Sequence, residues 1–69
     1  MVEVFKTNVK KTPQARRLVS LLTLHFPASR INFDLQDCDK VLRVEGDDVA
    51  PAKIMGLVQG SGFACNVLE

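Results

Sequence analysis

Long apolar runs, a surplus of charge of one sign, a cysteine framework and length itself are all missing from this chain. Each absence closes off a class of function. No stretch approaches the roughly 20 apolar residues that cross a bilayer. The amino-terminal Met1-Val2-Glu3-Val4 lacks the basic-then-apolar order of a secretion signal, so a cytoplasmic protein with no membrane partner is expected. Net charge is +1, which leaves no global field to draw the molecule to nucleic acid. Two cysteines, Cys38 and Cys65, are too few for a disulfide scaffold, and a reducing compartment keeps them as thiols. A chain of 69 residues has room for one domain, 1–69, and hides only about 60% of the surface its unfolded form exposes. A deep enzymatic cleft is therefore not expected.

What is present suits a folded domain, since 46% hydrophobic residues against 25% charged exclude a disordered tail. Val2 to Thr7, rich in Val and Phe with polar residues between, reads as a strand that stops at Asn8-Val9-Lys10-Lys11. Thr12-Pro13 reads as a helix start, the hydroxyl accepting from an orphan amide and the proline sitting at the first helical position. At about 100° per residue, Ala15, Leu18, Val19, Leu21, Leu22 and Phe26 share one arc. Arg16, Arg17, Ser20 and Thr23 lie opposite, Leu24 joins the polar side, and Phe26-Pro27 ends the helix. From Arg30 the period becomes two: Ile31, Phe33 and Leu35 alternate with Asn32, Asp34 and Gln36. Asp37-Cys38-Asp39 supplies turn residues, and Lys40 to Glu45 forms the second arm of a hairpin with Leu42 and Val44 inward. Gly46-Asp47-Asp48 breaks that strand, and Pro51 opens a helix carrying Ile54, Leu57 and Val58 that stops at Gly60-Ser61-Gly62. Phe63 to Leu68 is the last strand, with Phe63, Cys65 and Val67 on one face.

The order β-α-β-β-α-β implies an α+β ferredoxin-like fold: a four-stranded antiparallel sheet, strand order 4-1-3-2, with both helices on one face. The expected core is Leu18, Leu22, Ile31, Phe33, Leu42, Val44, Ile54, Val58 and Val67.

Three stretches, Ile31-Asn32-Phe33-Asp34-Leu35, Val44-Glu45-Gly46-Asp47-Asp48-Val49-Ala50-Pro51 and Gly62-Phe63-Ala64-Cys65-Asn66-Val67, carry a further resemblance. With them the chain resembles, nearly end to end, the heavy-metal-associated (HMA) domains of copper chaperones and metal-pumping ATPases. The resemblance implies the same fold and a functional loop after the first strand, where the family usually has Met-x-Cys-x-x-Cys, a thiolate pair for a soft ion such as Cu(I). Here Val9 takes the place of the methionine, Lys11 that of the first cysteine and Gln14 that of the second. An ammonium repels a cation and an amide is a poor ligand for a soft metal, so the fold carries over and the metal chemistry does not.

Cys65 alternates with Phe63 and Val67 and reads as a small buried hydrophobe, Cys38 as an exposed turn residue. The expected strand order puts them at opposite edges, roughly 14 Å apart across three strand spacings, so one chain cannot join them in a disulfide or a chelate. His25, the only histidine, reads as a helix-end or surface residue. No acid and base pair is gathered in an apolar pocket, which leaves catalysis without support. Phe33 and Phe63 are expected to face the helices, and Val4-Phe5 leaves open which of the two points out, so Phe5 is the one aromatic available to stack on RNA.

The loop after the first strand, the hairpin turn and the loop before the last strand should share one end. That end carries Lys10, Lys11, Arg16 and Arg17 beside the amides of a helix start. The reading is a non-enzymatic binding or interaction module without cofactor, its surface made of Val9, Lys10, Lys11, Thr12, Gln14, Arg16 and Arg17. A protein or small anion is the expected partner, and a weak homodimer is compatible with the reading. The alternatives are a Cu(I) or Zn carrier that uses cysteines across a dimer, and a regulatory domain that binds a small anion between protomers.

Overall fold

The computed structural model describes residues 1–68. Six elements follow in order: β1 (Val2–Thr7), α1 (Thr12–His25), β2 (Arg30–Asp34), β3 (Val41–Glu45), α2 (Pro51–Gly60) and β4 (Cys65–Val67). The strands form one sheet in the order β2-β3-β1-β4, with every neighbouring pair antiparallel. Both helices lie on one face, the ferredoxin-like arrangement expected from the periodicity. No helix among the described residues is long and apolar enough to cross a membrane.

Register explains the core. Phe33 faces Leu42, Leu42 faces Phe5 and Phe5 faces Val67, so one row of apolar side chains crosses the whole sheet under the helices. Phe5 and Leu42 in the middle of that row have no exposed surface, and Leu18, Leu22, Ile54 and Val58 close over them. Val4 and Lys6 take the other face, which settles the ambiguity in the first strand: Phe5 belongs to the core and cannot stack on a base.

The ends of the row depart from expectation. Val67, expected in the core, is 40% exposed, and Ile31 and Phe33 are only half-buried. All three belong to edge strands, which have a neighbour on one side only. Val9, Phe26 and Val49 are buried in the core instead, all three from segments between elements.

The loops are held by specific contacts. Gly46 passes so close to Ser29 that an added Cβ would lie 2.5 Å from the Ser29 Oγ, so a side chain there requires the Ser29 side chain to shift. Lys40 takes a left-handed φ of 47° at the close of the β2–β3 turn, and its Nζ donates to the Leu35 carbonyl at 2.9 Å.

Candidate functional site

Three loops meet at the end of the sheet where β1 stops. The Thr7 amide donates to the Asp39 carbonyl at 3.0 Å, and the Thr7 hydroxyl donates to the carbonyl of Lys40. The same oxygen accepts the Val9 amide at 3.2 Å. Asn8 holds the third loop, its Oδ1 accepting the Ala64 amide at 2.8 Å. Neither Thr7 nor Asn8 figures among the residues expected from the sequence. Thr-Asn at a strand end signals local side-chain to backbone bonding, but the partners here lie 33 and 56 residues away.

This framework positions the seven expected residues unequally. Contrary to the expectation that it belongs to the binding surface, Val9 has no exposed surface and cannot contact a partner; it anchors the loop in the core. Lys10, Lys11, Thr12, Arg16 and Arg17 are exposed, and Gln14 is half-buried. Thr12 is the first residue of α1 and does not cap it: Lys11 occupies the cap position in extended backbone and no side chain bonds to the free amides. Pro13 falls in the first turn, and no acidic residue lies there. The helix start is therefore an uncompensated positive end.

Arg16 and Arg17 diverge around the helix. Arg16, with Thr12, borders an open groove of about 800 Å³ between α1 and β2, whose floor is Ile31, Phe33 and Leu35. Arg17, with Gln14, borders a smaller cleft of about 370 Å³ closed by Leu21, Ser61 and Phe63. Among the described residues none of Lys10, Lys11, Arg16 and Arg17 has a carboxylate within ion-pair distance, whereas Lys6 pairs with Asp39 at 3.7 Å. The site is a cationic rim around one helix terminus and not a pocket.

Lys11 ends in an ammonium and Gln14 in an amide, and neither is a donor for a soft cation. The cysteines lie elsewhere. Cys65 is buried in β4 at one edge of the sheet, and Cys38 is exposed in the β2–β3 turn beyond the other. The Cys38 sulfur and one carboxylate oxygen each from Asp37 and Asp39 lie within 4.8 Å of one another, but Asp39 is engaged by Lys6 and Asp37 accepts the Asp39 amide at 2.9 Å. A ligand shared between two chains would have to come from Cys38, because Cys65 has no exposed surface.

Burial pushes the Cys65 thiol up from 9.0 to about 11. The folded state thus keeps the proton after the unfolded chain has lost it, so stability should fall as pH rises from 9 towards 11. The full loss is on the order of 2–3 kcal/mol. Urea unfolding at pH 7, 9 and 10.5 should show this slope in the wild type and a shallower one in Cys65→Ala; equal slopes would refute it. A thiol reagent should reach the exposed Cys38 in the folded protein and Cys65 only on unfolding.

No family model, curated protein or solved structure matches the chain.

Proposed function

We propose that this chain is a metal-free relative of the HMA domains that works as a small, non-enzymatic binding module in the cytoplasm, through the end of the sheet where the family holds its ion. The acidic surface of a partner protein is the occupant that suits it best. One observation carries the reading: four cationic side chains between residues 10 and 17, none paired within the described chain, surround a helix start without a cap. Val9, Thr7 and Asn8 hold the loop beneath them, so the charges are presented from a backbone tied to two other loops. An exposed ion pair contributes only about 0–1 kcal/mol, so the complex would be weak and salt-sensitive, with association rate the main quantity that charge controls.

The test is an amide chemical-shift titration with a poly-glutamate peptide and, separately, with inorganic phosphate, each at low and at physiological salt. The peptide should shift the amides from Lys10 to Arg17, less so at the higher salt. Replacing both lysines, Lys10→Glu with Lys11→Glu, should leave the fold intact and abolish the shifts. Shifts with phosphate and none with the peptide would favour the small-anion alternative. Binding unchanged by the charge reversal at low salt would move the functional surface to the open sheet face around Asn32, Asp34, Val41 and Arg43.

A further inference from the structure

The second surface of interest is the free edge of β2, the longer of the two edges of the sheet. Edge strands present unpaired amides and carbonyls, and monomeric proteins usually protect them with proline, a bulge, an inward charge or brevity. The edge strand β4 is protected by brevity, having three residues. β2 has five, contains no proline, and pairs with β3 in unbroken register from Arg30↔Glu45 to Asp34↔Val41. Its inward residues are Ile31 and Phe33, both half-buried, and they line the open groove beside α1. Nothing in the described chain covers this edge.

The order of residues along the edge selects the occupant. Arg30-Ile31-Asn32-Phe33-Asp34 is complementary to itself when read in the opposite direction. A two-fold axis through Asn32 sets Asn32 against its own copy, Arg30 against the partner's Asp34, and Ile31 against the partner's Phe33. Each copy then supplies one Arg–Asp pair on the open face and one apolar pair under the helices, as an isologous contact requires. Neither Arg30 nor Asp34 has an ion-pair partner among the described residues. A shift of register by two residues, the smallest that keeps each side chain on its face, would place Arg30 opposite Asn32 or Asp34 opposite Asn32, and both charge pairs would be lost.

We infer that β2 is a self-association edge, through which two copies of this chain form one continuous eight-stranded sheet with Asn32 on the two-fold axis. The α1 helices of the two copies flank the junction and narrow the groove over Ile31 and Phe33 from both sides. Five residue pairs make a small contact beside the roughly 1,200–2,000 Å² that stable interfaces bury, so the dimer is weak and concentration-dependent. Thr12 and Arg16 border this groove but Lys10 and Lys11 do not, and the pairing itself uses only Arg30 to Asp34, so the inference goes beyond the acidic-partner reading and stands without it.

Sedimentation equilibrium over a concentration series reaching about 1 mM tests it. The wild type should pass from monomer to dimer. Asn32→Glu is the deciding variant, because the new carboxylate faces Arg43 within its own sheet but its own copy across the axis. It should keep its thermal midpoint and weaken dimerisation by about tenfold or more. Arg30→Asp and Asp34→Arg should each weaken self-association by bringing like charges together twice per dimer, and an equimolar mixture of the two should restore it as a heterodimer. Asp34 also accepts the Gln36 and Asp37 amides, so circular dichroism first checks that its variant folds. A wild type that stays monomeric across the series, or Asn32→Glu that dimerises as the wild type does, would overturn the inference.

Discussion

Phe5→Ala should cost about 3–5 kcal/mol, the range for emptying a buried aromatic site. The total stability of a 69-residue domain is on the order of 3–10 kcal/mol, so the variant should lose about a third or more of its folding free energy. The size of the effect follows from position. Phe5 has no exposed surface and lies in the central strand β1, with Leu42 opposite on one side and Val67 on the other. A truncation there opens a cavity between two strands and both helices, where no neighbour can collapse into it without leaving its own register. Val4→Ala, on the open face of the same strand, should cost about 1 kcal/mol or less, because Val4 is half-exposed and packs on one side only. Urea unfolding of the two variants measures the contrast directly. Equal losses would mean that the two faces of β1 are assigned the wrong way round.

Thr7→Val should cost about 2–3 kcal/mol, although it changes volume very little. The Thr7 hydroxyl donates to the Lys40 carbonyl and accepts the Val9 amide, and the residue is only 6% exposed. The valine removes both bonds and leaves the Val9 amide and the Lys40 carbonyl without that partner where water has little access. Thr7→Ser keeps the oxygen and loses one methyl, so about 1 kcal/mol is expected. Hydrogen exchange gives a second, local readout. The Val9 amide should exchange faster in Thr7→Val than in Thr7→Ser, since the loop that carries Lys10 and Lys11 loses its tie to the β2–β3 turn. A Thr7→Val protein as stable as the wild type, with an unchanged Val9 amide, would show that the hydroxyl has no such role.

The two residues also mark the limits of reading the chain without coordinates. The alternation of β2 and β3 and the arc of α1 are legible because their periods of 2 and 3.6 residues are set by local backbone geometry. The adjacent Val4 and Phe5 break that logic, since both are apolar and either can be the inward one. Thr7 and Asn8 were invisible as organisers of the site for another reason. Residue type announces that a side chain seeks a backbone partner, but nothing near them in the chain reveals that it is Lys40 or Ala64. Val9 failed in the opposite sense: a loop position between polar residues reads as surface, yet its side chain is wholly buried.

The sequence by itself determined the order of the six elements and the face that each strand turns to the helices apart from β1. These depend on residue type and on spacing within a strand or a few helical turns. Only the tertiary structure decided that Phe5 and Val9 are core, that Val67 at the edge is not, that Thr7 ties three segments together, and that Arg16 and Arg17 border different clefts. Burial at each of these positions is set by which strands and helices arrive from elsewhere in the chain, and an edge strand with one neighbour cannot be told from a central one until the sheet order is known.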